Sequence, residues 1–161
     1  MLQNKIRDYL IIIPARFNSS RFPGKPLAKI HGQSMLFRVW NKCMKVTNRE
    51  DIVVATDDSR IVSHCKKLQM NYILTSKYCL TGTDRVLEVA KKIKSKLYIN
   101  VQGDEPLVSP NDIKKIITEG RNQPNAIVNG MSKIKFESDF RSPNIPKVVI
   151  DNNNFLLFMS R

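Results

Sequence analysis

The chain has 161 residues, of which 42% are hydrophobic and 25% charged, a composition typical of a globular protein. Apolar runs such as Leu10–Ile13 are far shorter than the roughly 20 residues that span a bilayer, so no membrane partner is predicted. No signal peptide follows Met1, and the three cysteines include no CxxC pair, which indicates reduced, structural thiols. We therefore expect one domain over residues 1–161 and a cytoplasmic location.

The net charge of +13, from 27 Lys and Arg against 14 Asp and Glu, has two interpretations. One is a polyanionic partner, such as nucleic acid or a phosphorylated small molecule. The other is a lysine-rich solvated surface, since lysines are scattered along the chain in pairs such as Lys66-Lys67. Because interleaved aromatic residues that would stack on bases are lacking, nucleic acid is not expected as a partner, and a basic nucleic-acid-binding protein is only a remote alternative.

Apolar strand patterns alternate with helical patterns along the chain. In chain order, the elements predicted are strand Tyr9–Ile13, helix Met35–Met44, strand Ile52–Ala55, a helix that contains Ile61, Val62, Cys65 and Leu68, strand Asn71–Leu74, a helix that contains Val86, Leu87, Ala90 and Ile93, strand Leu97–Val101, a helix after Pro110, and strands Ala126–Val128, Lys147–Ile150 and Phe155–Met159. Ser34 and Thr83 are the predicted N-caps of the first and third helices, and residues 151–154 a turn. This alternation predicts an α/β fold, with a mostly parallel sheet flanked by helices.

In a sheet of this kind, the ligand binds beyond the carboxyl ends of the strands, near the point where the strand order reverses. Segments 14–26, 75–85 and 102–106 all follow predicted strands. Each of them contains groups that suit phosphate or a metal ion. The sequence therefore predicts that the functional site is built from these three segments.

The first segment carries Arg16, Arg21 and Lys25 on one loop that leaves a buried strand. Arginine offers a planar fork to phosphate oxygens, and lysine offers a point charge. Small residues, including Gly24, let backbone N–H groups approach an anion. The loop is neither a Walker A motif nor a G-x-G-x-x-G fingerprint. It predicts phosphate binding, and a basic surface loop with turn prolines is the alternative.

The second segment, Thr81–Arg85, enters a helix. Thr83 and Asp84 suit plain helix capping, because a hydroxyl and a carboxylate stabilise a helix N-terminus. Arg85 opposes the helix dipole in that first turn and needs another explanation. An anion or a hydrogen-bond acceptor held at the helix mouth would supply one.

The third segment, Gln102–Pro106, follows an apolar strand. Asp104 at the carboxyl end of a parallel strand is well placed to hold Mg²⁺ beside a triphosphate, since such sites use one or two carboxylates. Asp104 and Glu105 as ordinary turn residues are the alternative. The basic first segment nearby favours the magnesium interpretation.

Together these segments resemble the acidic-sugar cytidylyltransferases, and most of all the 3-deoxy-manno-octulosonate cytidylyltransferase (CMP-KDO synthetase) family. The residues that carry the resemblance follow the family order and are Ile12–Arg16, Ser20–Leu27, Val53–Asp58, Thr81–Arg85, Asn100–Pro106 and Pro143–Asp151. They cover almost the whole chain, and the combination is highly specific. The resemblance implies a Rossmann-like nucleotidyltransferase fold.

The resemblance also implies transfer of CMP from CTP to KDO or a related acidic 3-deoxy sugar, with release of pyrophosphate, for lipopolysaccharide or other surface polysaccharide synthesis. It implies Mg²⁺ as cofactor with Asp104 as the metal ligand, and catalytic roles for Arg16, Lys25 and Asp104. Gln102 and Arg161 are expected to contact the sugar. The residues expected around the nucleotide are Ala15, Arg16, Ser20, Arg21, Gly24, Lys25, Thr83, Arg85 and Gln102.

The chain departs from the family pattern in three places. Cys79 stands where the family usually has His, and Thr81 where it usually has Ser. Residues 130–133 also differ, which leaves the identity of the sugar open. The sequence ends at Arg161, where family members continue with sugar and dimer contacts and a second Mg²⁺-binding Asp. A chain that binds CTP but transfers CMP weakly or not at all is therefore the alternative function, and a homodimer is expected for a full-length relative.

Overall fold

In the computed structural model, which describes residues 6–18 and 22–160, the chain forms two units, Met1–Val128 and Asn129–Arg161. The single domain expected over residues 1–161 stays a prediction. None of the helices in the described ranges is long and apolar enough to cross a membrane.

The first unit alternates strands and helices, as the sequence predicts. Its elements are β1 (Leu10–Pro14), β2 (Lys29–Ile30), β3 (Gln33–Ser34), α1 (Met35–Met44), β4 (Ile52–Thr56), α2 (Ser59–Lys67), β5 (Tyr72–Leu74), α3 (Gly82–Lys92), β6 (Tyr98–Asn100) and α4 (Pro110–Asn122). Strands β2 and β3 form a small antiparallel hairpin, and the other four strands form one parallel sheet.

The parallel sheet has the strand order β5-β4-β1-β6. Ile12 of β1 lies opposite Val53 of β4 on one side and opposite Asn100 of β6 on the other. The chain runs outward from β1 through β4 to β5 and then returns to the other side of β1, so the strand order reverses at β1. The carboxyl ends of β1 and β6 therefore border the crevice in which ligands of such sheets bind.

Helices cover both faces of this sheet. Strand β1 is apolar at every position, because side chains on both of its faces are buried beneath these helices. Ile11 and Ile13 pack into a cluster with side chains of α1, α2 and α4, whereas Leu10 and Ile12 pack on the opposite face with Val89 of α3. All four of these β1 side chains are at most 1% exposed. Each stabilises the fold by about 1.5–3 kcal/mol relative to an exposed position. The strand that leads to the carboxyl edge is therefore well packed on both faces of the sheet.

Buried thiols and a serine–histidine contact complete the packing of this unit. Cys43 and Cys65 are free and buried, and burial raises the pKa of both thiols to about 12, so they are structural as expected. Ser34 is the predicted N-cap of α1, and its Oγ accepts from the Phe37 N–H at 3.2 Å. The same Oγ lies 2.7 Å from Nε2 of His64, which connects α1 to α2.

The predicted strand Ala126–Val128 is wrong. The residues follow a turn in which the Ala126 N–H donates to the Gln123 carbonyl, and they belong to no strand. Ile127 is 92% exposed, so this apolar run has no face to bury against a neighbouring strand. A strand needs such packing, which the local sequence does not reveal.

The second unit contains α5 (Glu137–Arg141), β7 (Lys147–Ile150) and β8 (Leu156–Ser160). The two predicted strands and the turn between them are confirmed, and they form an antiparallel pair. In the turn, Oδ1 of Asp151 accepts from the N–H groups of Asn153 and Phe155, and Asn154 has a left-handed φ of 65°. Every residue of β8 is exposed.

Candidate functional site

The three segments singled out in the sequence meet around Pro14, the last residue of β1. A Cβ atom built on Gly103 would lie 2.7 Å from the Pro14 carbonyl oxygen. A Cβ atom on Gly82 would lie 3.3 Å from the Pro14 ring and 3.7 Å from Oε1 of Gln102. Glycine at these two positions therefore lets the second and third segments approach the first.

Arg16 connects the first segment to the second. Its Nη1 donates to the Leu80 carbonyl at 2.9 Å. The preceding residue, Ala15, is buried, and its N–H donates to the Ala55 carbonyl at 2.9 Å. This bond extends the pairing of β1 with β4 by one residue, so it fixes the backbone from which the exposed Arg16 side chain leaves the sheet.

Lys25 connects the first segment to the third. Its Nζ lies 2.7 Å from Oδ2 of Asp104, and the two side chains are 35% and 48% exposed. The cation expected to bind phosphate and the carboxylate expected to bind metal are thus direct neighbours. Both remain accessible from solvent, so each can exchange this partner for a charged ligand.

The loop that carries Lys25 is built around the ring of Phe17. Gly24 has a left-handed φ of 74°, and its N–H donates to the Phe17 carbonyl at 2.8 Å. A Cβ atom on Gly24 would lie 3.0 Å from the Phe17 ring. The guanidinium carbon of Arg60 lies 3.2 Å from the ring centre, and Arg60 is held in turn by Asp58. This stack was not predicted, because Phe17 and Arg60 are far apart in the chain and no local pattern connects them.

Three of the residues expected in the site, Ser20, Arg21 and Arg161, lie outside the described residues. Their expected contacts with nucleotide and sugar stay predictions.

The N-terminus of α3 has a capping box, and its N-cap is Thr81 rather than the predicted Thr83. Oγ1 of Thr81 accepts from the Asp84 N–H at 3.1 Å, and Oδ2 of Asp84 accepts from the Thr81 N–H at 2.7 Å. The prediction is wrong because only Thr81 has a carboxylate three residues later, the spacing that satisfies two N–H groups reciprocally. Thr83 is an exposed residue of the first turn.

Arg85 points into the protein, where it is 1% exposed. Its Nη2 donates to Oδ2 of Asp57 at 2.8 Å, and its Nη1 donates to Oγ1 of Thr75 at 2.7 Å and to the Ser76 carbonyl at 3.2 Å. These acceptors supply the reason for a cation in the first turn of α3. Arg85 thus ties the loops that follow β4 and β5 to the helix, and its expected contact with the nucleotide stays a prediction.

Glu88, one turn further along α3, holds the same loop. Its carboxylate accepts from the Ser76 N–H at 2.9 Å and from Sγ of Cys79 at 3.2 Å. These two hydrogen bonds lower the pKa of Glu88, whereas burial, followed by the Glu88 contact, raises the pKa of Cys79. Cys79 therefore stays a protonated donor at neutral pH. The role of Glu88 was not predicted, because the residue belongs to no sequence motif.

The third segment presents Gln102 and Asp104 beside the other two segments. Nε2 of Gln102 donates to Oδ1 of Asn100 at 3.3 Å, and both residues are exposed. Within residues 6–18 and 22–160, no group of three or more His, Cys, Asp or Glu side chains could hold a metal ion. A single accessible carboxylate still suits Mg²⁺ bound together with phosphate oxygens and water. The ammonium of Lys25 on Asp104 shows that a cation can reach this carboxylate.

A cavity of about 440 Å³ lies at the opposite edge of the sheet. It is lined by Leu10, Ile52 and Tyr72, the first residues of β1, β4 and β5. The carboxyl-edge residues described above do not line it. The amino edge of the sheet therefore has a space that is separate from the candidate site.

The sequence profile of a family described as "Cytidylyltransferase" matches residues 10–161. The 3-deoxy-manno-octulosonate cytidylyltransferase of Trichlorobacter lovleyi is 41% identical over 93% of this chain and 60% of its own length. The mitochondrial enzyme of the same name from Arabidopsis thaliana is 40% identical over 98% of this chain and 55% of its own length. The chain thus spans less than two thirds of the curated relatives it matches.

Solved structures show the same architecture. A CMP:2-keto-3-deoxy-manno-octonic acid synthetase complexed with CTP matches with a TM-score of 0.82 and 33% identity, over 94% of this chain and 63% of that one. A cytidylyltransferase from Leptospira borgpetersenii, at 23% identity, has a TM-score of 0.62 over 70% of this chain and 48% of that one, a likeness of fold alone. The expected Rossmann-like nucleotidyltransferase fold is thereby confirmed.

Proposed function

This chain belongs to the cytidylyltransferase family, and from that premise we propose that it transfers CMP from CTP to an acidic sugar, KDO or a related 3-deoxy sugar. The products are the CMP-sugar and pyrophosphate, and the CMP-sugar serves the synthesis of lipopolysaccharide or another surface polysaccharide. The names of the relatives and the CTP in the similar solved structure support this proposal.

The observation that carries the proposal is the contact of Lys25 with Asp104 beyond the carboxyl ends of β1 and β6, with Arg16 on the same loop as Lys25, two residues after the end of β1. A nucleoside triphosphate brings several negative charges, and two cationic side chains on one loop neutralise part of that charge. Arg16 uses one N–H on the Leu80 carbonyl and keeps further donors for phosphate oxygens. These cations, with Asp104 as a metal ligand, support a proposal of phosphoryl-type transfer, which depends on charge neutralisation and positioning.

In the proposed reaction a sugar hydroxyl oxygen attacks the α-phosphorus of CTP in line with the bond to the β-phosphate. That bond breaks, pyrophosphate leaves with the electron pair, and the hydroxyl proton passes to solvent. Arg16 and Lys25 hold the triphosphate and stabilise the charge that develops on the leaving group. In this proposal Gly24 and Ala15 shape the backbone beneath the triphosphate, and Gln102 contacts the nucleotide and the sugar. Positioning and charge neutralisation supply most of the rate enhancement.

We propose Mg²⁺ as the cofactor, with Asp104 as its protein ligand. Bound at Asp104, Mg²⁺ would supply positive charge that offsets the charge of the phosphate oxygens. Lys25 contacts one carboxylate oxygen of Asp104, Oδ2, and the triphosphate would offer Lys25 a second negatively charged partner. We further propose a cytoplasmic location, and a homodimer for the full-length relatives.

The test is a pyrophosphate-release assay with CTP, Mg²⁺ and a panel of acidic sugars, together with titration calorimetry of CTP against ATP, GTP and UTP. Pyrophosphate release that requires CTP and one acidic sugar is expected. Calorimetry that shows no preference for CTP would contradict the proposal. Tight binding of a DNA or RNA oligonucleotide, with no response to CTP, would favour the basic nucleic-acid-binding alternative.

The second candidate function is CTP binding without efficient transfer. It is favoured by the single carboxylate, Asp104, that the described part of the chain places beside Lys25 at the carboxyl edge. Mg²⁺ at one carboxylate can complete its coordination with phosphate oxygens and water, whereas transfer also needs a precisely aligned hydroxyl. CTP binding in the calorimeter without pyrophosphate release from any sugar would support this candidate.

A further inference from the structure

Both polar groups of the peptide bond between Leu80 and Thr81, its N–H and its carbonyl, form hydrogen bonds to side chains. Its N–H donates to Oδ2 of Asp84 at 2.7 Å, and its carbonyl accepts from Nη1 of Arg16 at 2.9 Å. The peptide is trans and planar, so its N–H and C=O point in opposite directions. Fixing the N–H therefore fixes the direction of the carbonyl. In this way Asp84 determines where Arg16 finds its acceptor.

Asp84 is itself firmly placed. Its Oδ2 accepts a second bond from Oγ1 of Thr81 at 2.9 Å, and its own N–H donates back to that oxygen. Hydrogen bonds from Thr81 hold the pKa of Asp84 below its usual range, so the carboxylate is ionised at neutral pH. An ionised acceptor in the first turn of α3 makes a stronger bond to the N–H than a neutral one.

The loop that precedes this peptide is tied to the same helix. Arg85 binds Oγ1 of Thr75 and the carbonyl of Ser76, and Glu88 binds the N–H of Ser76. The start of the loop and its end at Leu80 are thus anchored on successive turns of α3. The Leu80 carbonyl that accepts from Arg16 therefore belongs to a loop that is fixed to α3 by several hydrogen bonds.

We propose that Asp84 is a positioning residue for nucleotidyl transfer, which holds Arg16 towards the triphosphate through the Leu80–Thr81 peptide. The inference rests on the proposed function and deepens it. Helix capping alone would make Asp84 important for the stability of α3 but would not connect it to Arg16. If Asp84 acts through Arg16, the loss of CTP affinity caused by an Asp84 substitution depends on the presence of Arg16. If Asp84 only caps the helix, that loss is the same with and without Arg16.

A double-mutant cycle on CTP affinity, measured by calorimetry at fixed Mg²⁺, separates these roles. Asp84→Ala is expected to weaken CTP binding about threefold or more in the wild-type background, the size of a modest coupling. In an Arg16→Met background the same substitution is expected to have no further effect. Asp84→Asn keeps an uncharged acceptor and is expected to give a smaller loss that likewise disappears with Arg16→Met.

Ser34→Ala is the matched control, because it removes the N-cap of α1, and the Ser34 hydroxyl contacts Phe37 and His64 rather than Arg16 or Asp84. It is expected to leave CTP affinity unchanged in both backgrounds. Additive losses from Asp84 and Arg16 substitutions, or an unchanged affinity in Asp84→Ala, overturn the inference and leave the proposed function standing. A wild-type chain that binds no CTP overturns both. If Asp84→Ala does not fold, as judged by circular dichroism, the Asp84→Asn cycle decides by the same criterion.

Discussion

Lys25 and Asp104 form an ion pair with 2.7 Å between Nζ and Oδ2, and both side chains remain partly open to solvent. An exposed pair of this kind stabilises a fold by at most about 1 kcal/mol. Its placement at the carboxyl edge of the sheet therefore matters more for ligand exchange than for stability. Two predictions depend on this pair, one for each partner.

Replacing Lys25 by Met is expected to weaken CTP binding about five- to thirtyfold, which corresponds to about 1–2 kcal/mol for a charge-assisted contact at a partly exposed site. Lys25→Arg, which keeps the charge, is expected to recover part of the loss. Titration calorimetry measures both. The control is Lys66→Met, since Lys66 is an exposed lysine near the C-terminal end of α2. Equal CTP affinities for Lys25→Met and wild type would remove Lys25 from the site.

Replacing Asp104 by Asn is expected to raise the Mg²⁺ concentration needed for half-maximal CTP binding, because an amide oxygen is a weaker ligand for this hard cation than a carboxylate. A Mg²⁺ titration at constant CTP measures the shift. Glu119→Gln removes an exposed carboxylate near the end of α4 and serves as control. Superimposable titration curves for Asp104→Asn and wild type would show that Asp104 does not bind the metal.

Replacing Gly103 by Ala is expected to lower both stability and CTP affinity. The added Cβ atom would lie 2.7 Å from the Pro14 carbonyl, and a backbone atom cannot yield as a flexible side chain does. Overpacking of this kind costs about 1–3 kcal/mol. The shift also moves the adjacent Asp104. Gly32→Ala is the control: its Cβ atom would meet no atom within 4 Å, but its φ is 79°, so the substitution strains the backbone without a steric clash. An unchanged CTP affinity in Gly103→Ala would contradict the close approach.

Stability is expected to fall as the pH drops below about 6.5, the ordinary pKa of histidine. Burial, and to a lesser extent Lys67, lowers the pKa of His64 in the folded protein. Between that lowered pKa and about 6.5, the unfolded chain binds more protons than the folded one, so acid favours unfolding in this window. Urea denaturation at several pH values measures the effect. In His64→Gln this part of the pH dependence is expected to vanish, and its persistence would assign it to other groups.

Much of the fold could be predicted from local patterns. The uninterrupted apolar run that became β1 is a reliable signal for a buried parallel strand, and the turn at Asp151 correctly separates β7 from β8. The exposed Ile127 shows the limit of this reasoning, because an apolar run forms a strand only where another element covers it. Thr81 could have been identified from the sequence, since the spacing to Asp84 distinguishes it from Thr83.

The site was predictable at the level of segments but not of contacts. The rule for parallel sheets correctly predicted that three separate loops lie at one edge, whereas the contact of Lys25 with Asp104 was not predicted. The buried bond of Arg85 to Asp57 and the bond of Arg16 to the Leu80 carbonyl were not foreseen. Such contacts depend on the direction of individual carbonyls and side chains in the folded chain, and no periodicity in the sequence encodes those directions.

Trp40, the single tryptophan of the sequence, gives the protein a built-in optical probe of only one of its two units. It lies on α1 in the core against the sheet and is 3% exposed. Its emission therefore shifts to longer wavelength when the first unit unfolds and does not report directly on the β7–β8 pair. Far-ultraviolet circular dichroism records the backbone of both units. In urea, coincident curves from the two signals would indicate one cooperative transition, and separated curves would indicate two.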